Sequence, residues 1–231
     1  MNHAQPAAVQ APGHAAFTEA AFRARAVTGL LAAPADRLFD PRTGRALGRS
    51  DWDLTPELSA DLAAMDPPRP AAVLVPVVMH AAELTVLLTQ RTDTLSSHAG
   101  QVAFPGGRVD DTDADAKAAA LREAHEEIGL EAHYIEPLGY LDGYRTGTGF
   151  HITPLVALVR PGFKLHLAPG EVADTFEVPL RFLMTAANHQ RHEREWRGRR
   201  RAYWAMPYGE RYIWGATAGM LKNLHDRLYA S

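Results

Sequence analysis

Three carboxylates at helical spacing are the first chemistry this chain offers. Glu123, Glu126 and Glu127 stand at i, i+3 and i+4, so on a helix they fall within about 100° of one another. Leu121, Ala124 and Ile128 fall on the opposite side and make an ordinary core-facing stripe. Like charges at such spacing cost an open helix roughly 0.2–0.5 kcal/mol per pair. A divalent cation removes that cost, because hard ions such as magnesium take oxygen ligands from carboxylates, water and substrate phosphates. The same pattern also suits a solvated acidic face on a surface helix, and spacing alone leaves both readings open.

The surrounding elements must hold this face in place. Gly106-Gly107 forms a turn that lets backbone approach a ligand closely. An acidic loop, Asp110 to Asp115, leads into a helix predicted over 114–128, with Thr112 as its cap and Asp115 as the capping-box partner. Gly129 is placed to end it. Upstream, the apolar runs AAVLVPVVM from Ala71 and LTVLLTQ flank His80 to Glu83 and read as paired strands, with Pro76 arguing for an edge or a bulge. Downstream strands are expected at Ile135 to Leu141 and His151 to Val159, and more weakly at Leu165 to Leu167. Glu177 to Leu180 leads into a short helix through Ala187, Gln190 to Gly198 reads as a polar loop, and Ala202 to Met206 as a strand. A last helix spans about Ala216 to Tyr229, with Met220, Leu221, Leu224 and Leu228 on its buried face. This is an α+β domain of α-β-α layers, a mixed sheet packed between helices. We place its start at residue 71. Residues 1–15 read as a disordered tail, and 16–70 as an N-terminal helical extension with helices at Phe17 to Leu31 and Thr55 to Ala64.

Composition narrows the function. With 231 residues, 46% hydrophobic and 22% charged, the chain suits one soluble domain with an extension. A net charge of −3 gives no support to a general nucleic-acid or acidic-membrane role. No cysteine means no disulfide, thiol nucleophile or thiolate metal site, which suits a reducing cytoplasm. The first residues lack the basic and apolar regions of a secretory signal.

The order of residues favours the metal reading. Arg122-Glu123-Ala124-His125-Glu126-Glu127-Ile128-Gly129-Leu130 resembles the second half of the Nudix box, G-x5-E-x7-R-E-U-x-E-E-x-G-U. The box's first acid falls at Asp113, shortened from Glu, with eight residues rather than seven before Arg122. Upstream, Leu87-Leu88-Thr89-Gln90-Arg91-Thr92 and His98 to Gly107, ending Phe104-Pro105-Gly106-Gly107, resemble the lead-in of coenzyme A pyrophosphatases. Thr148 to Pro154, Phe176 to Pro179 and Ile213 to Thr217 are similar to the same family. One departure is that Leu95 is followed by Ser96, where several members carry Arg.

The resemblance implies hydrolysis of coenzyme A or acyl-coenzyme A, with Mg2+ or Mn2+, to 3′,5′-ADP and 4′-phosphopantetheine or its acyl form. It implies that Glu123, Glu126, Glu127 and the Gly107 carbonyl hold metal, with Arg122 orienting a neighbouring carboxylate. Glu123 and Glu171 are the general-base candidates. Arg91, Arg108, Gly106, Gly107 and His98 are the substrate-binding candidates. The Arg191 to Arg201 region carries many arginines; a solvated basic stretch and a contact to a 3′-phosphate are both open. Tyr144, Phe150 and Trp204 are candidates for stacking on a base, or for packing. The resemblance also implies a homodimer acting on a small nucleotide. Ser96 keeps ADP-ribose, NADH or another nucleoside diphosphate derivative as an alternative substrate, and a Nudix-fold binding module without turnover is a further alternative.

Overall fold

The computed structural model describes residues 14–34, 49–58, 66–93, 98–196 and 198–230. Strands β1 (Arg49–Ser50), β2 (Arg69–Met79), β3 (Leu84–Arg91), β4 (Val102–Ala103), β5 (Gly106–Arg108), β6 (Ile135–Tyr140), β7 (Tyr144–Arg145), β8 (Phe150–Val159) and β9 (Val172–Pro179) form one mixed sheet. A second, antiparallel sheet holds β10 (Gln190–Trp196), β11 (Arg199–Tyr208) and β12 (Arg211–Trp214). The helices are α1 (Glu19–Gly29), α2 (Ala116–Ile128), α3 (Leu180–Leu183) and α4 (Gly215–Leu228).

β2 is the spine. It runs parallel to β8 from Arg69↔Phe150 to Val78↔Val159, and its other edge is shared by β5 and β3. Its side chains alternate between two cores. Ala72, Leu74 and Val78 pack under α2 with Ala120, Ala124 and Ile128. Val73, Val75 and Val77 pack toward α4 with Leu221 and Leu224. A strand buried on both faces reads as an unbroken apolar run, and that explains AAVLVPVV. Helices on both faces of a mixed sheet make the α-β-α layering.

Several local expectations are corrected. Pro76 lies in this interior strand, not at an edge or in a bulge. Leu74 turns its N–H to the Pro105 carbonyl, and Pro76 shares that parity. Its missing N–H therefore falls where β2 changes partner from β5, last paired at Val73, to β3, first paired at Val77. Asp115, not Thr112, caps α2, accepting from the Ala118 N–H at 2.8 Å. Gly129 ends the helix in the left-handed conformation. Leu165 to Leu167 is not a strand. This segment instead gives the His166 and Ala168 N–H groups to the Ile128 and Glu127 carbonyls, both at 2.9 Å, satisfying the end of α2. Gln190 to Gly198 is not a loop, because β10 occupies 190–196 and its pairing with β11 stabilises a largely exposed polar strand.

Described residues of the extension pack onto the main domain. β1 pairs with β7 in the main sheet, Phe22 and Trp52 are fully buried, and Thr55 accepts from the Ala202 N–H at 3.0 Å. In the extension the described residues hold α1 and a short 3-10 turn at Pro56–Leu58. Residues 1–13 of the expected tail, residues 59–64 of the expected second helix, and Leu95 and Ser96 lie outside the described residues.

Candidate active site

α2 carries its polar face along the turn made by β5. Gly106 gives its N–H to the Glu127 carboxylate at 3.0 Å. Both glycines sit in tight space, Gly106 against backbone and Gly107 against a side chain. A Cβ on Gly106, at φ 154°, would lie 2.4 Å from the Ala72 carbonyl oxygen, and one on Gly107 would lie 2.5 Å from the Glu123 carboxylate. Backbone and carboxylates thus touch where the sequence places two glycines side by side.

Glu127 is buried, and among the described residues it pairs with Arg91 Nη1 at 3.6 Å. Burial pushes its carboxyl up to about 7; Gly106 and Arg91 oppose this, while Glu123 and Glu171 add to it. Burial likewise raises the half-buried Glu123, against the pull of Arg122, and Glu126 and Glu171 add to the rise. Glu171 comes from the distant loop before β9. The bonds to the end of α2, and the Thr92 N–H donated to the Glu171 carbonyl at 3.0 Å, bring that loop to the helix and to the end of β3. So Glu123, Glu127 and Glu171 share one electrostatic neighbourhood, although 44 residues separate Glu127 from Glu171.

Arg122 organises the outer side. It binds Asp113 bidentately at 3.0 and 2.8 Å, reaches Glu123 at 2.9 Å and Glu126 at 3.0 Å, and donates to the Arg108 carbonyl at 3.1 Å. This contact holds the Asp113 carboxyl down at about 2. The shortened acid and the longer loop therefore still deliver a carboxylate to the box arginine. Glu126 is mostly exposed, and among the described residues it pairs with Arg122.

The donor set fits a divalent cation. All its groups are hard oxygens, and among the described residues the buried Glu127 carboxylate has Glu123 and Glu171 as like-charged neighbours and Arg91, at 3.6 Å, as its ion pair. Among the described residues no three His, Asp or Glu side chains are already gathered into a ligand shell. Arg122 Nη1 lies between Glu123 and Glu126 instead and bonds both.

Beside the glycine turn lies a cavity of about 330 Å³. Arg91, His98, Gly106, Gly107 and Arg108 line it; Glu123, Glu126 and Glu127 do not, and meet it only through the glycines and Arg91. His98 takes φ 57° and bonds Gln101 through Nδ1 at 2.9 Å. A further wall includes Arg194 and Arg201 of the arginine-rich stretch and the stacking candidate Phe150, while its other residues are not among the candidates read from the sequence. It is formed by Arg194, Trp196, Arg201, Tyr203 and Trp214 of the second sheet, with Phe150 and Asp51. Of the expected stacking residues, Phe150 lines the cavity, Tyr144 is a core residue bonded to Asp51, and Trp204 lies under Lys222. Alternating Arg and aromatic residues from 194 to 203 were the available signal, visible only once the stretch is a strand pair.

The NUDIX domain model matches residues 68–204. An uncharacterised Nudix hydrolase NudL of Cronobacter sakazakii (strain ATCC BAA-894) is 44% identical over 156 residues, covering 68% of this chain and 81% of the relative. Another NudL, from Enterobacter sp. (strain 638), is 39% identical over 171 residues, covering 74% and 87%. Among solved structures, the NUDIX domain of Shewanella oneidensis NrtR complexed with ADP ribose is 24% identical, with a TM-score of 0.40 over 55% of this chain and 83% of that one.

Proposed function

The chain belongs to the NUDIX domain family and is a Nudix hydrolase, and from that premise we propose that it cleaves the diphosphate bond of coenzyme A or acyl-coenzyme A. The products are 3′,5′-ADP and 4′-phosphopantetheine or its acyl form. One observation carries the substrate: the Leu87 to Thr92 and His98 to Gly107 lead-in sits in the same chain as the Arg122 to Leu130 half-box. The cavity supports it, since Arg91, His98, Gly106 and Gly107 of that lead-in line one wall.

The roles follow from position. Glu123, Glu126 and Glu127, with the Gly107 carbonyl, hold Mg2+ or Mn2+. When bound, the metal neutralises diphosphate oxygens and lowers the pKa of a coordinated water. Arg122 fixes Glu123 and Glu126 from the outer side. Arg91 and Arg108 reach the diphosphate from the cavity, with the Gly106-Gly107 backbone and His98 beside it. The attacking water loses its proton to Glu123 or Glu171, the acids that share its neighbourhood with Glu127. The lack of cysteine fits action in the cytoplasm, and the resemblance supports a homodimer, which light scattering would check.

A panel of coenzyme A, ADP-ribose and NADH with Mg2+ or Mn2+ tests the substrate. We expect the highest kcat/KM for coenzyme A. A clear preference for ADP-ribose or NADH would move the activity to the alternative that Ser96 keeps open.

A further inference from the structure

We propose that the second sheet is a specificity wall that binds a nucleoside carrying a phosphate of its own, separate from the diphosphate being cleaved. This deepens the function proposed above and rests on it for the identity of the reaction. The wall lies largely on one face of the ribbon, because residues two apart on a strand share a face. Arg194 and Trp196 stand on β10, Arg201 and Tyr203 on β11, and all four line the cavity. Trp214 joins them from β12.

The register sets two arginines against each other. Arg194 pairs directly with Arg201 across β10 and β11, a placement that destabilises a ribbon unless the charges are answered. Arg201 is answered. It is buried, bonds the Asp51 carboxylate at 2.7 Å and the Asp51 carbonyl at 3.0 Å, and lies over the Trp52 and Trp196 rings at 5.0 and 5.3 Å. Asp51 also accepts from Tyr144 Oη at 3.0 Å and the Gly147 N–H at 2.7 Å, so it is a positioning residue for this wall. Arg194 is not answered. It is exposed, stacks over Trp214 at 4.6 Å and Tyr203 at 6.0 Å, and has no carboxylate partner among the described residues. A guanidinium stacked on an aromatic ring keeps its in-plane N–H groups free for a phosphate. The aromatic faces beside it suit a planar base, which stacks on tryptophan or tyrosine.

Two parts of the wall come from outside residues 68–204, the span the family model matches. Asp51 and Trp52 precede it, and Trp214 to Thr217, which also line the cavity or hold its floor, follow it. Arg194, Trp196, Arg201 and Tyr203 lie inside that span, and the flanks complete the wall by holding Arg201 through Asp51 and adding Trp214. Such a wall is where discrimination between substrates sharing one reaction belongs.

Binding tests this without turnover. Affinities of adenosine 3′,5′-bisphosphate and adenosine 5′-monophosphate are measured by calorimetry on the full chain. We expect the bisphosphate to bind at least about tenfold tighter, as a charge-assisted contact gives. Arg194→Ala should erase that preference and leave the thermal midpoint unchanged; Arg194→Lys should keep part of it. Trp214→Phe should weaken both ligands alike. Equal affinities in the wild type, or an undiminished preference in Arg194→Ala, would overturn the proposal. If the preference holds and depends on Arg194 but coenzyme A is not hydrolysed, the wall stands and the reaction assignment fails. If coenzyme A is hydrolysed and Arg194→Ala retains the preference, the wall alone fails.

Discussion

Arg122 binds Asp113 through Nε and Nη2 and both Glu123 and Glu126 through Nη1, a spread of contacts that a planar fork makes and a point charge does not. Arg122→Lys should therefore lower kcat about 10–100-fold, the usual loss when a group orienting metal ligands is removed. Steady-state kinetics beside a thermal melt checks this; a wild-type kcat would remove Arg122 from the site. Away from the carboxylates, burial and the neighbouring Arg145 push His151 down to about 4, below its ordinary value of about 6.5. The folded chain binds the proton less well than the unfolded one, so the contribution is intact above pH ~6.5 and lost as pH falls toward 4. The melting temperature should fall across that window, and more steeply than in His151→Gln. Parallel curves for the two proteins would contradict the assignment.

At the scale of elements, the glycine turn separates fold from chemistry. Gly106→Ala drives a Cβ into backbone at an unfavourable φ and should cost about 1–3 kcal/mol of stability. Gly107→Ala meets only the movable Glu123 carboxylate, so activity should fall while the melting temperature stays near wild type. Denaturant titration and kinetics on both variants distinguish them; equal losses of stability would refute the contrast. The legible elements were those with a strong period. β2 and β3 show as β-branched runs, and α2 shows through its apolar stripe, its acids and Gly129. The cap was misread because Thr112 and Asp115 both suit a capping residue, and only the chain path chooses Asp115. β10 was missed because its side chains are mostly solvated and its register, not its composition, makes it a strand. β1 is a two-residue strand with no period to read. The cavity wall needs the Arg194↔Arg201 register and a contact between Asp51 and Arg201, 150 residues apart, and no local pattern encodes either.

At the scale of the molecule, the flanks belong to the fold. α1 packs on α4, Trp52 and Phe22 are fully buried, and Asp51 holds Arg201. Trp52→Ala should cost about 3–5 kcal/mol, as large buried aromatics do, and a chain beginning at residue 67 should lose its cooperative transition. A sharp unfolding transition at the wild-type temperature in the truncated chain would show the extension to be separable. Among the described residues no helix is long and apolar enough to cross a membrane. The proposed reaction is hydrolysis of the coenzyme A diphosphate by the α2 carboxylates beside this cavity. Product analysis with Mg2+ or Mn2+ tests it most directly, run on the wild type and on Glu127→Gln, which keeps an oxygen for the Gly106 N–H. We expect 3′,5′-ADP and 4′-phosphopantetheine from the wild type, and a rate lower by about 10²-fold or more in Glu127→Gln at an unchanged melting temperature. No 3′,5′-ADP from coenzyme A while another diphosphate is rapidly cleaved, or full activity in Glu127→Gln, would contradict it.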